Sequence, residues 1–180
     1  YVGYFSTLMA QEKTKADYVN PLIGTAAKTS GGVLPSVVVP FGKTHFSPMT
    51  NQNHIGRPPY YYEEKQIIGF IASHQSAVWM GDFGDVVLFP TVGEPEVNES
   101  TQKMWLDHGK ESAHPFYYKA DLKTYDQKSD IRAEITGLAN SGIFRFTYEK
   151  GIEPGLLIEA SREKGFAGFV VIDTLKNEVY

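Results

Sequence analysis

Asp130-Ile131-Arg132-Ala133-Glu134-Ile135-Thr136-Gly137-Leu138, followed by Asn140-Ser141-Gly142 and then Ile143-Phe144-Arg145-Phe146-Thr147, is the stretch whose reading decides the fold. Ile131, Ala133 and Ile135 fall on one face, and Arg132, Glu134 and Thr136 on the other. That alternation is the period of a half-buried strand. Asn140-Ser141-Gly142 supplies turn chemistry. Phe144 and Phe146 then alternate with Arg145 and Thr147 on the way back. The pattern predicts antiparallel strands with one face on a core and the other in solvent.

The same signals continue outward. Phe116 to Leu122 reads as the preceding strand, and Leu156 to Glu159 and Phe169 to Ile172 as later ones. Towards the N-terminus, β-branched Val37-Val38-Val39 is closed by Pro40 and Gly42, and Ile67 to Ala72 and Val86 to Phe89 are apolar runs of strand length. No window of about a dozen residues keeps a helical apolar face. Short strands separated by turns predict an all-β fold, an antiparallel β-sandwich. The chain stops in what reads as one more strand, Glu178-Val179-Tyr180, so the sandwich is expected to be truncated at its C-terminus, with an open edge.

Composition bounds the function classes. A chain of 180 residues with 42% hydrophobic residues can build one core. Net charge is −4 without a basic stripe, which argues against nucleic acid or an anionic membrane surface as partner. There is no cysteine, so disulfides, thiolate metal sites and cysteine nucleophiles are excluded. Residues 1–10 are apolar and small, and they read as the tail of a signal peptide with Ala10 before the cut; the alternative is a frayed apolar N-terminus. Residues 11–16 read as a polar linker and residues 17–180 as the incomplete sandwich. A secreted or periplasmic location follows as an expectation. No later stretch approaches the roughly 18 apolar residues that span a bilayer.

The densest chemistry lies in Ser73-His74-Gln75-Ser76-Ala77-Val78-Trp79-Met80-Gly81-Asp82-Phe83-Gly84-Asp85. It joins two apolar strands and is longer than a tight hairpin needs. An aromatic face beside planar polar groups is how proteins hold sugar rings. The competing reading makes Trp79 a core plug and Asp82 and Asp85 turn residues. As a glycosidase pair, Asp82 and Asp85 would have to converge across a scissile bond; Gly81 and Gly84 beside them favour turn geometry. In Pro48 to Tyr62, Arg57 and Tyr60-Tyr61-Tyr62 can line a cleft or, alternatively, pack on the sandwich. The remaining histidines, His45, His108 and His114, show no metal-ligand spacing. No nucleophile elbow, phosphate loop or nucleotide fingerprint is present.

Asp17-Tyr18-Val19-Asn20-Pro21-Leu22-Ile23-Gly24-Thr25 resembles the opening of glycoside hydrolase family 92. So do Leu34-Pro35-Ser36, Val39-Pro40-Phe41-Gly42 and Ser47-Pro48. The order continues through Ile67-Ile68-Gly69-Phe70, Ser73-His74-Gln75, Gly81-Asp82-Phe83-Gly84-Asp85, Lys110-Glu111-Ser112-Ala113, Tyr117-Tyr118 and Ile131 to Thr136, with Arg145 after the Ser141-Gly142 turn. The resemblance implies a calcium-dependent, inverting exo-α-mannosidase in which an N-terminal β-sandwich lends loops to the mannose pocket. A C-terminal helical domain, absent from this chain, would carry the acid, the base and most of the calcium site. The site residues it implies here are substrate-binding Ser36, Arg57, His74, Gln75, Trp79 and Asp82, with no catalytic or metal-binding residue. Family members more often read His-Thr-His-Leu-Ser-Gly-Thr-Gly where this chain has Ala72 to Trp79, and Phe-Pro-Gly where it has Leu34-Pro35-Ser36. The expected partners are a mannose-containing glycan and the helical domain, and the fragment alone is expected to be inactive. The alternative is a stand-alone carbohydrate-binding β-sandwich module.

Overall fold

A computed structural model describes residues 13–26, 33–52, 56–74, 86–95, 98, 100–160 and 168–180. Among the described residues, one 3-10 turn, Lys15–Tyr18, precedes elements that are all strands: β1 His45–Met49, β2 Gln66–Ile67, β3 Gly69–Ser73, β4 Val86–Val92, β5 Met104–His114, β6 Tyr117–Lys123, β7 Asp130–Gly137, β8 Gly142–Tyr148, β9 Pro154–Glu159, β10 Ile172–Asp173 and β11 Glu178–Val179. Every pairing is antiparallel. One sheet has the order β1-β3-β4-β9, a second β2-β5-β6-β7-β8, and β10-β11 forms a separate hairpin.

The deciding stretch behaves as its alternation predicts. Ile131, Ala133 and Ile135 are fully buried. They join Met104, Leu106, Tyr118, Ala120 and Leu122 against Phe46, Phe70 and Phe89 of the four-stranded sheet and Val37 beside it, which makes the sandwich core. The opposite face of the meander carries paired charges: Arg132 Nε donates to Asp121 Oδ1 (2.7 Å), and Arg145 donates to both oxygens of Glu134 (2.7 and 2.6 Å). Behind the four-stranded sheet lies a second apolar cluster of Leu34, Met49, Tyr60, Ile68, Ile71 and Val87. That sheet is therefore covered on both faces.

Several expected strands change shape. Ile67 to Ala72 is not one strand, because Ile67 pairs with Met104 in one sheet while Phe70 pairs with Leu88 in the other. Ile68 is the crossover, its amide donating to the Met49 carbonyl (2.7 Å). Val37-Val38-Val39 gives only a bridge, Val37 to Phe46, because Val38 donates instead to the Pro115 carbonyl. Phe169 to Ile172 shrinks to Ile172–Asp173. Two strands had no sequence signal: β1 contains Pro48, and β5 carries a run of charges. The β5 run has a cause. Residues 107–110 stand between the pairs Leu106–Leu122 and Glu111–Ala120, opposite Asp121 alone, an irregular bulge that shifts the register.

Candidate functional site

His74 sits one residue past the end of β3, and Ser73 is paired with His45, the first residue of β1. The Ser73 hydroxyl donates to the His74 carbonyl (3.0 Å). Two imidazoles thus share one end of the β1-β3 ladder. Burial, and then the nearby His74, hold the His45 imidazole below the usual histidine range. A neutral His45 keeps a donor and an acceptor for a polar ligand. Ser36 is half-buried, beside the Val37–Phe46 bridge on the other flank of β1.

Arg57 is at the opposite end of β1. It follows Gly56, whose φ of +75° is open to glycine and strained for other residues. Its guanidinium lies 5.0 Å over the Tyr61 ring and is exposed. A strand of this length separates its ends by about 13 Å, so His74 and Arg57 address different ends of the ladder. Gln75, Trp79 and Asp82, with Asp85, lie outside the described residues.

Of the two readings of the tyrosine run, packing is what the structure shows for Tyr60 and Tyr61, which are 0% and 3% exposed. Tyr60 has a polar end, however, and it leads to a cluster with no counterpart in the sequence reading. The Glu111 side chain is wholly buried. Its Oε1 accepts from Tyr60 (2.8 Å) and Tyr118 (2.7 Å), and its Oε2 lies 2.6 Å from His108 Nδ1. The other ring nitrogen of His108 lies 3.0 Å from the Glu64 carbonyl, and Tyr62 stacks on the ring at 4.1 Å. A buried carboxylate survives only when such partners replace water. Burial and the Glu111 charge push both phenols, Tyr60 and Tyr118, far above their ordinary range, so each stays a donor. In the sequence Glu111 stands out only within the Lys110-Glu111-Ser112-Ala113 family block, because its partners are distant in the chain.

Among the described residues the two antiparallel sheets form a sandwich with a clamped tyrosine segment, and that architecture defines a fold class that hosts many activities. Residues 18–177 match the model of the glycosyl hydrolase family 92 N-terminal domain, and the chain belongs to that family. No curated protein matches the sequence. Among solved structures, the chain is similar to the family GH92 alpha-mannosidase BT3965 from Bacteroides thetaiotaomicron, with 31% identity and a TM-score of 0.71 over 84% of this chain and 21% of that one. It is also similar to the family GH92 inverting mannosidase BT2199 from Bacteroides thetaiotaomicron VPI-5482, with 25% identity and a TM-score of 0.69 over 83% of this chain and 20% of that one. The chain thus spans about a fifth of the length of these relatives.

Proposed function

We propose that this chain is the substrate-pocket domain of an exported, calcium-dependent, inverting exo-α-mannosidase that acts on mannose-containing glycans. The observation that carries the reading is the family match over residues 18–177, together with the likeness to an inverting mannosidase in fold. In this reading His74, Gln75, Trp79 and Asp82 present one loop to the terminal mannose, with Ser36 on a neighbouring segment, and Arg57 meets the glycan from the opposite end of β1. Imidazole and amide groups donate to and accept from ring hydroxyls, an ionised Asp82 accepts from two adjacent ones, and Trp79 covers the apolar ring face. Inversion needs a general acid and a base on opposite sides of the sugar, and the proposal assigns both to a helical domain beyond this chain. The proposal seats most of the calcium site in that domain as well, with carboxylate and carbonyl oxygens as its ligands. Calcium supplies hard, oxygen-seeking charge when bound, and the residues here bind and orient.

The test is hydrolysis of an α-mannoside by the full-length gene product, with the anomer of the released mannose read by NMR. The expected result is β-mannose as first product, loss of activity in chelator, and no release by the isolated 180-residue chain. Release of α-mannose as first product, or none from the full-length protein, would refute the reading. Asp82→Ala should lower kcat/KM about ten- to hundredfold, the scale of one charge-assisted hydrogen bond.

A further inference from the structure

The segment from Arg57 to Glu64 is tied down by more contacts than a surface loop needs. The amides of Thr50 and Asn51 donate to the Pro59 carbonyl (2.8 and 3.2 Å). The Tyr61 amide donates to Thr50 Oγ1 (2.8 Å), and the Tyr62 amide to the Thr25 carbonyl (3.1 Å). Tyr60, Tyr62 and Glu64 then all run to one place, the Glu111–His108 pair. At the other end of this clamped segment stands Arg57, exposed, with its guanidinium on the Tyr61 ring. The β5 bulge ends where Glu111 resumes the register, so the distortion adjoins the clamp. A sandwich with two apolar clusters does not need a buried carboxylate for stability, because such groups are costly to desolvate.

We propose that Glu111 is a positioning residue for glycan recognition: through Tyr60, and through His108 and Tyr62, it fixes the 57–64 segment so that the Arg57 guanidinium stands ready for saccharide hydroxyls. The inference rests on the reading of this domain as part of a mannosidase pocket. A preset guanidinium loses less freedom on binding than one on a loose loop. Disturbing the clamp therefore weakens substrate binding while leaving the chemical step alone.

The experiment uses the full-length gene product with Tyr60→Phe, Glu111→Gln and Arg57→Ala. Tyr60→Phe keeps the ring in its apolar cluster and removes only the hydroxyl, so it remains informative if Glu111→Gln fails to fold. KM and kcat are measured on an α-mannoside, and hydrogen exchange is followed across residues 56–64. The expected result for Tyr60→Phe is a KM about three- to tenfold higher, kcat within about twofold of wild type, and faster exchange in that segment only. In the Arg57→Ala background the same change should add almost nothing to KM. Unchanged exchange and KM in Tyr60→Phe would overturn the proposal, and so would a KM effect that persists in full without Arg57. Wild-type KM in Arg57→Ala would overturn it too, while leaving the mannosidase reading intact. Absence of all mannosidase activity would instead sink the reading beneath it, and with it the glycan role of the clamp.

Discussion

Replacing Gly142 with alanine should test how tightly β1 is held under the β7–β8 hairpin. Gly142 pairs with Gly137 at the end of that hairpin, and both lie over the ring of Phe46. A Cβ at position 142 would stand 2.5 Å from Phe46 Cζ and 2.7 and 2.8 Å from Cε2 and Cε1. Carbon atoms in contact sit about 3.5–4.0 Å apart, so the overlap is about 1 Å. The ring already packs so closely on Gly137 that a Cβ there would lie 2.9 Å from it, which leaves little room to slide that way, and Phe144 packs edge-on against it at 5.6 Å. Phe46 must leave its rotamer or the hairpin must lift. Overpacking of this kind costs about 1–3 kcal/mol. Alanine also restricts the unfolded chain, which returns about 0.5–1 kcal/mol. The expected net loss is therefore about 1–2 kcal/mol, measured by denaturant unfolding of the purified protein. Phe46→Leu shortens the ring that clashes, so the double variant should lose less than the two single losses together. A Gly142→Ala protein as stable as wild type, or strictly additive losses, would refute the packing argument.

Glu134→Gln should destabilise the protein at neutral pH by up to about 1 kcal/mol, the range of an ion pair whose Arg145 is largely solvent-exposed. Arg145, and then the Tyr117 hydroxyl, hold the Glu134 carboxyl well below its usual range, at about 2. Its folded-state value is depressed, so its contribution is present above the ordinary glutamate range and is lost as pH falls towards 2. Unfolding curves from pH 7 down to about 2 should show the gap between variant and wild type closing, and a gap independent of pH would contradict this. Phe41 is wholly exposed at a φ of +62°, between Pro40 and a Gly42 amide that donates to the Val39 carbonyl (2.8 Å). Phe41→Gly relieves a left-handed strain of about 1–2 kcal/mol, less what glycine adds in chain freedom, so stability should hold or rise by up to about 1 kcal/mol. A clear fall in melting temperature would mean that Phe41 has a folded-state contact.

The sandwich was legible wherever one face is buried and the other wet, as at Ile131, Ala133 and Ile135 against Arg132 and Glu134. It was illegible where the four-stranded sheet is covered on both sides. There β1 reads His-Phe-Ser-Pro-Met, with four of its five positions buried and no alternation to find. The apolar run from Ile67 concealed a crossover for the same reason: continuous hydrophobicity does not say which sheet a residue joins. Of the candidate site, the sequence singled out His74 and Arg57, but only the β1–β3 register and the Thr50 and Asn51 bonds to Pro59 put them at opposite ends of β1. Glu111 was visible only as one letter in a family block, because its partners come from residues 60, 108 and 118 and meet in three dimensions alone.

The two sheets also differ in when they can form. From β5 to β8 each strand lies beside its neighbour in sequence, so that meander closes through short turns. β4, by contrast, takes β9 as its partner, with the whole meander lying between them in the chain. Local pairings form early, and distant ones must first meet the entropy of closing a long loop. A nascent chain would therefore complete β5–β8 while β4 still waits with one side unpaired. Its last ladder, Val87 to Val92 against Pro154 to Glu159, sets the pace of folding and is the step at which a growing chain is most exposed to pairing with a stranger.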